Sequence, residues 1–192
     1  MKKLLIMGAN NPEIIRLVEG VNRAAPNDPI RIVGFIDNDP HKIGSTFLGY
    51  PVLGSPEILS NPAYQDCCVI NNITRDCETR KLTTAQLGQF PQEFLSLVHP
   101  AVDVSLVEVG QGLVVHEGCI ISPRVRLEDH SALMIGSQIA HDCRVEKYCF
   151  IGPKANICGG VHLGAASFVG AGAIILPNLD IGAGAKIGAA RW

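Results

Sequence analysis

The sequence predicts a chain of two parts, an α/β half of Rossmann-like type followed by a solenoid with a repeat of six residues. Stepping by six from Val109 to Ile187 meets an aliphatic residue at all fourteen positions. Before residue 99, by contrast, short apolar runs alternate with segments of helical periodicity. We therefore expect a Rossmann-like domain over residues 1–98 and a repeat domain over residues 99–192.

The period of six indicates a coil of short flat faces, because it fits neither the helical period nor the alternation of an open strand. Six of the fourteen aliphatic residues are followed by glycine, and small residues recur two positions before nine of them. We interpret this as three faces per coil, each with one aliphatic side chain pointing inward, and with glycines and small residues at corners where φ can be positive. A β-sandwich that mimics the period would need fourteen consecutive coincidences.

The first half contains four apolar runs typical of strands and two segments typical of helices. The predicted strands cover residues 3–7, 31–36, 66–70 and 94–98, and the predicted helices start at Pro12 and Thr74. Asn11 is placed to cap the first helix, with Pro12 at its first position. Because strands and helices alternate, we expect a parallel sheet.

Two positions after these strands are suited to a ligand. The turn at Gly8 presents backbone N–H groups at a helix N-terminus, where a phosphate is stabilised. Asp37 ends the second strand and is placed to accept hydrogen bonds from a ribose or another polar group. Only Gly8 stands where the dinucleotide fingerprint has three glycines, so we do not expect intact NAD binding. On these residues alone, a tight turn at Gly8 and a loop cap at Asp37 remain the alternative.

Composition argues against several classes of partner. The net charge is -2 and the 16 Lys and Arg residues are scattered, which disfavours nucleic acid. The 7 cysteines include no CxxC pair, which favours reduced thiols in a cytoplasmic protein. The apolar run that ends at Met7 is too short for a signal peptide, and no apolar stretch is long enough to cross a membrane.

Among the histidines of the repeat, His141 is the candidate for catalysis. It follows an inward aliphatic residue by two positions and has Asp142 beside it, and a histidine held by a carboxylate can act as a general base. One coil later, Gly159 and Gly160 would stack beside it and leave the backbone open to a ligand. An ordinary surface histidine remains the alternative. The other three, which we expect on the solvated surface, are His116, His130 and His162.

A metal site is not expected. Some hexapeptide-repeat enzymes are carbonic anhydrases, which bind zinc through three histidines, two of them five residues apart. The positions five before and five after His141 are Gly136 and Glu146, so this pair is missing.

The chain resembles, over nearly its whole length, the sugar O-acyltransferases of the sialic acid O-acetyltransferase type. Close relatives in that family N-acetylate nucleotide-linked amino sugars such as bacillosamine and perosamine precursors. The motifs that carry the resemblance are Gly8-Ala9, Gly34-Phe35-Ile36-Asp37, His99-Pro100-Ala101-Val102, Ile139-Ala140-His141-Asp142-Cys143, Ile151-Gly152-Pro153 and Gly159-Gly160-Val161-His162-Leu163-Gly164.

This resemblance implies a left-handed parallel β-helix, a homotrimer, acetyl-CoA as donor and a nucleotide sugar bound by the N-terminal domain. It also implies that His141 is the base and that Asp142 orients it. Donor contacts are expected between adjacent subunits, at Gly159, Gly160 and Ala171. We expect the nucleotide sugar at the ends of the N-terminal strands, with binding residues Gly8, Asn10, Asn11, Asp37 and Asn72.

Some positions depart from the family pattern. Met134 stands where many members carry asparagine, and Phe150 stands where some carry histidine. These differences leave a second function open, that of a catalytically degenerate protein of the same fold that binds a sugar nucleotide or assembles with partners. At the other end of the repeat, Trp192 is placed to fold over the last coil.

Overall fold

The computed structural model describes residues 1–74 and 76–190. The contacts within the chain divide it into two compact units. The first contains the described residues of 1–74 and 79–96, and the second contains 76–78 and 97–190. The predicted position of Trp192 lies outside the described residues.

The first unit is built on a five-stranded sheet with the order β3-β4-β2-β1-β5. Strands β4, β2, β1 and β5 are parallel, and β3 pairs antiparallel with β4. The strands and helices are β1 (Lys2–Met7), α1 (Glu13–Ala24), β2 (Ile30–Ile36), β3 (Thr46–Phe47), β4 (Tyr50–Gly54), β5 (Cys67–Asn71) and α2 (Cys77–Leu87), with short 3-10 helices at Pro56–Ser60 and Pro62–Tyr64. The helix α2 begins among residues that belong to the second unit.

Apolar burial explains why the first strand and helix form where they do. The last four residues of β1, Leu4 to Met7, are at most 1% exposed, as expected for a central parallel strand. Helix α1 buries one face, and it starts one residue later than predicted. Pro12 holds the cap position, and the Asn11 side chain accepts a hydrogen bond from the Glu13 N–H at 3.2 Å.

Two features of the first unit differ from the sequence prediction. The β3–β4 hairpin was missed because its turn, Leu48-Gly49, has positive φ at both residues without the Asn-Gly or Asp-Gly signal of such turns. The predicted strand over 94–98 is wrong. Phe94 forms a single bridge with Val69, and β6 (Leu97–Val98) pairs instead with the second unit's coil.

The second unit is a coil of two-residue strands that pair in parallel with a step of 18 residues, as in Leu127 beside Val145. We call its three sheets the first face (β7-β10-β13-β16-β19), the second face (β6-β8-β11-β14-β17-β20) and the third face (β9-β12-β15-β18). After β6 the strands are Glu108–Val109, Val114–Val115, Ile120–Ile121, Arg126–Leu127, Ala132–Leu133, Gln138–Ile139, Arg144–Val145, Phe150–Ile151, Asn156–Ile157, His162–Leu163, Phe168–Val169, Ile174–Ile175, Asp180–Ile181 and Lys186–Ile187, numbered β7 to β20. This architecture fits the predicted left-handed β-helix.

The predicted aliphatic positions form the core of the coil. From Val115 to Ile175 each sixth residue is at most 9% exposed. Val109 is 50% exposed, and Ile181 and Ile187 are partly buried, because the coil ends there.

Glycine has two separate roles in this coil. Every sixth residue from Gly112 to Gly184 has positive φ, and seven of these residues are not glycine. The prediction was wrong about which residues turn the corners, because neither the glycines that follow the inward residues nor the small residues two positions before them have positive φ. The glycines that follow inward residues do something else. A Cβ added to Gly152 would lie 2.7 Å from the Val169 carbonyl oxygen, so this glycine lets neighbouring coils approach.

Candidate active site

The His141-Asp142 pair occupies a corner between the third and first faces. Strand β12 ends at Ile139 on the third face, and β13 begins at Arg144 on the first. Asp142 has a φ of 61°, a left-handed conformation that aspartate tolerates better than most residues. Its Oδ2 lies 2.7 Å from His141 Nδ1, although the two residues are adjacent in the chain.

A third residue completes this cluster from the preceding coil. Arg124 Nε donates to Asp142 Oδ1 at 2.6 Å, and Arg124 Nη2 donates to Asp142 Oδ2 at 2.7 Å. The hydrogen bond from Arg124, followed by that from His141, holds the pKa of Asp142 well below its usual range. Asp142 is therefore ionised at neutral pH and can only accept hydrogen bonds. Because the carboxylate can only accept, the neutral imidazole of His141 carries its proton on Nδ1. The lone pair of the ring is then on Nε2.

In the next coil, Gly159 leaves room beside the His141 ring. A Cβ added to Gly159 would lie 3.0 Å from His141 Cε1 and 3.1 Å from His141 Nε2, so a larger residue there would push against the ring. The Gly160 N–H donates to the His141 carbonyl at 3.0 Å. The predicted stacking of this glycine pair beside His141 is therefore observed. The His141 side chain is 65% exposed, which leaves Nε2 accessible to a substrate.

Ala171 does not lie at this corner. It follows β17 of the second face and precedes β18 of the third, whereas His141 follows a third-face strand. His141 and Ala171 are thus at opposite edges of the third face. A single chain does not bring the predicted base and this predicted donor contact together.

The expectation of solvated surface is wrong for two other histidines. His116 is 2% exposed and His130 is 6% exposed. His130 stacks on Tyr148, 18 residues later, with ring centroids 5.5 Å apart. Burial, and then the neighbouring His99, lower the pKa of His116 to about 4. The spacing of 18 between aromatic rings at corner positions was the sequence signal that could have indicated the His130 stack.

His162 is partly exposed and belongs to a ladder of ion pairs on the first face. Its Nε2 lies 3.0 Å from Glu146 Oε1, and its Nδ1 lies 3.1 Å from Asp180 Oδ1. With a carboxylate at each ring nitrogen, His162 has a structural explanation that involves no substrate.

In the first unit, the residues predicted to bind substrate meet at the carboxyl ends of β1, β2 and β5. Asp37 Oδ2 accepts from the Ala9 N–H at 2.9 Å and from Lys42 Nζ at 2.8 Å, and Oδ1 accepts from the Asp39 N–H at 3.0 Å. Burial raises the pKa of Asp37, but the hydrogen bonds from Lys42, Asp39 and Ala9 outweigh it and hold that pKa below its ordinary value. Lys42 was not predicted, since nothing in its sequence context marks it.

Asn72 links the end of β5 to the turn after β1. It is fully buried, and its Nδ2 donates to the carbonyls of Asn11 at 3.0 Å and Gly8 at 3.4 Å. Within the described chain, Asn72 Oδ1 and Asn11 Nδ2 are buried without a hydrogen-bond partner. Asn10 is exposed in the same turn. Strand β1 lies between β2 and β5, where the strand order reverses, and ligands of open α/β sheets bind in the crevice at such a point.

The described residues contain no group of three or more His, Cys, Asp or Glu residues arranged to hold a metal ion. None of the helices described is both long and apolar enough to span a bilayer.

No protein-family model matches the chain, but solved structures match it over nearly its whole length. The GDP-perosamine N-acetyltransferase of Caulobacter crescentus, in complex with CoA and GDP-perosamine, is 26% identical over 98% of this chain and 87% of that one, with a TM-score of 0.83. The acetyltransferase domain of PglB from Neisseria gonorrhoeae, in complex with acetyl coenzyme A, is 23% identical over 98% of this chain and 88% of that one, with a TM-score of 0.81. WeeI from Acinetobacter baumannii is 20% identical over 97% and 96%, with a TM-score of 0.72.

The likeness to the PglB domain and to WeeI concerns the fold. The perosamine enzyme confirms the predicted resemblance, since the chain is similar in structure to an N-acetyltransferase of GDP-perosamine.

Proposed function

We propose that this protein is an acetyl-CoA-dependent acetyltransferase that acts on a nucleotide-linked amino sugar. The observation that carries the proposal is the exposed His141 ring, whose Nδ1 lies 2.7 Å from the ionised Asp142 carboxylate. This arrangement leaves Nε2 free to accept a proton, as a general base requires. The similarity to an enzyme that N-acetylates GDP-perosamine favours an amine over a hydroxyl as the acceptor.

The proposed reaction is a direct transfer. His141 Nε2 takes a proton from the sugar amine as the nitrogen attacks the thioester carbonyl. The C–N bond forms, the C–S bond breaks, and the proton passes to the departing sulfur to give CoA. Backbone N–H groups at the coil corner stabilise the oxyanion of the tetrahedral intermediate.

A covalent acyl-enzyme is not part of the proposal. Cys143, the cysteine nearest to His141 in the sequence, is 1% exposed, and burial raises the pKa of its thiol. Its Sγ donates to the Cys158 carbonyl at 3.1 Å. A buried, protonated thiol is a poor nucleophile.

We further propose that residues 1–98 form a Rossmann-like domain that binds the nucleotide sugar, and that residues 99–192 form the catalytic β-helix. The crevice at β1 and β5 supports this, because a buried acceptor on Asn72 and a buried donor on Asn11 remain for a ligand to satisfy. Asp37 is placed beside the turn at Gly8, where it can exchange an internal hydrogen bond for one to the ligand.

A homotrimer with shared sites also belongs to the proposal. The outward residues of the third-face strands carry no charge, and Ile120, Ile174 and Leu176 are 58%, 66% and 63% exposed. The first face, in contrast, carries the ladder of ion pairs. Packing third faces around a three-fold axis would bury this apolar surface. It would bring the His141 corner of one subunit to the Ala171 corner of the next, and so complete the donor site.

The second candidate function is a catalytically degenerate protein that binds a sugar nucleotide or assembles with partners. Phe150 favours it, because this ring is buried in a stack with Phe168, with centroids 4.9 Å apart, where some resembling enzymes carry histidine. The described cysteines form no disulfides, which supports a cytoplasmic location under either function.

One assay separates the two functions. Thiol release from acetyl-CoA is followed with UDP-, GDP- and CMP-linked sugars, each in amino and non-amino form, for the wild type and for His141→Ala. Transfer to an amino sugar by the wild type and its loss in the variant support the enzyme. Binding of a nucleotide sugar without thiol release supports the degenerate protein.

A further inference from the structure

The corner that holds Asp142 is preceded, one coil earlier, by a corner with the same backbone conformation. Arg124 has a φ of 62° and Asp142 a φ of 61°. Arginine is one of the seven residues other than glycine that occupy these left-handed corners. The stacked corners aim the guanidinium at the carboxylate of the next coil.

The contact between them is of a particular kind. Two nitrogens of Arg124 engage two different oxygens of Asp142. Arg144, by contrast, directs Nε and Nη2 at one oxygen of Glu128. A bidentate pair fixes the plane of a carboxylate, whereas a pair through one oxygen lets it rotate. The Asp142 oxygen that accepts from Arg124 Nη2 is also the one that faces His141 Nδ1.

We propose that Arg124 is a positioning residue, which fixes the plane of the Asp142 carboxylate so that His141 keeps its proton on Nδ1 and presents Nε2 to the substrate. The catalytic part of this inference rests on the proposed function. The geometry gives the reason that Arg124 is needed. Asp142 and His141 are 43% and 65% exposed, so water competes for both groups unless something holds them.

The other contacts of the pair do not supply this restraint. Gly159 limits the ring from the next coil without any charge, and Gly160 bonds to the His141 carbonyl rather than to its side chain. The Arg124 side chain is 72% exposed, so solvent screens its attraction to Asp142 and limits what the pair adds to stability. Their effect is therefore expected in the orientation of the ring rather than in the folding of the coil.

The first test needs no substrate. The nitrogen-15 shifts of the His141 ring report its tautomer, in the wild type, in Arg124→Ala and in Arg124→Lys. We expect the Nδ1–H tautomer in the wild type, and in Arg124→Ala a large shift toward the Nε2–H form that a free histidine side chain prefers. The tautomer ratio of His141 in Arg124→Lys should be intermediate, because lysine keeps the positive charge but cannot form the bidentate hydrogen bonds of the guanidinium. An unchanged tautomer in Arg124→Ala overturns the proposal.

The second test measures kcat and both KM values. Loss of the outer partner of a metal-bound histidine typically costs about 10- to 100-fold in activity. By analogy, Arg124→Ala should lower kcat about tenfold and leave both KM values within about twofold. Added guanidinium should restore part of the loss. The matched control is Arg126→Ala. Arg126 lies on the same coil as Arg124 and pairs with Glu108 at 2.9 Å. The kcat of this variant should equal that of the wild type.

The outcomes are distinct. A raised KM for acetyl-CoA with normal kcat would make Arg124 a donor-binding residue and overturn the positioning role. An equal loss in Arg126→Ala would also overturn it, since the effect would then be general. If the wild type transfers no acetyl group, the proposed function fails, while the tautomer measurement still decides whether Arg124 positions His141.

Discussion

The buried imidazole of His116 should make the stability of the coil depend on pH. Its side chain is almost fully buried, and Nε2 has no hydrogen-bond partner among the described residues. His99 faces it from the preceding coil and Met134 lies in the next one. Burial first, and then His99, lower the pKa of His116 to about 4, while the ordinary value in an unfolded chain is about 6.5.

The sign follows from which state binds the proton. As pH falls from 6.5 toward 4, the unfolded chain takes up a proton on this residue before the folded chain does. Acid therefore favours unfolding within that window, and the contribution is constant above it. Between pH 7 and pH 5 the linkage amounts to about 2 kcal/mol of unfolding free energy. For a domain of roughly 100 residues, such as the coil, that is a fall in Tm of roughly 8–16 °C.

Thermal unfolding of the wild type and of His116→Leu at pH 7, 6 and 5 would measure this effect. The variant should lose about 2 kcal/mol less than the wild type between pH 7 and pH 5, because leucine does not titrate. His41→Leu, the same change at an exposed position, should keep the wild-type slope. Protein concentration must be equal throughout, since assembly also contributes to apparent stability. Parallel losses in the wild type and His116→Leu would refute the reasoning.

Four further outcomes follow from the sites. His141→Ala should lower turnover by about 10²- to 10⁴-fold in the thiol-release assay; near-normal rates would remove it as the base. Asp37→Ala should raise the KM for the nucleotide sugar about tenfold and leave that for acetyl-CoA unchanged; a shift in the acetyl-CoA constant instead would move the sugar site elsewhere. Gly159→Ala places a Cβ 3.0 Å from the His141 ring and should lower kcat by up to about 100-fold, whereas Gly182→Ala should behave as wild type, because among the described residues no atom beyond its chain neighbours lies within 4 Å of the added Cβ. Mixing His141→Ala subunits with Ala171→Trp subunits should recover activity absent from either alone, and light scattering that shows an active monomer would exclude the shared site.

The sequence by itself determined the coil and the chemical identity of its candidate base. A period of six fixes one inward side chain per face, so the buried row from Val115 to Ile175 could be assigned without coordinates. His141 and Asp142 are adjacent, so their pairing required only local geometry. The sequence also predicted that Gly8 and Asp37 lie near each other, because parallel strands place their carboxyl ends at one edge of a sheet.

Only the tertiary structure decided which side chains complete these sites. Arg124 reaches Asp142, and Tyr148 covers His130, because stacked coils place residues 18 apart in contact. Lys42 reaches Asp37 because the loop after β2 folds back over the strand end. A periodic pattern specifies which way a side chain points. It does not specify which residue of the neighbouring coil lies beside that side chain, because each such contact depends on two positions that are far apart in the chain.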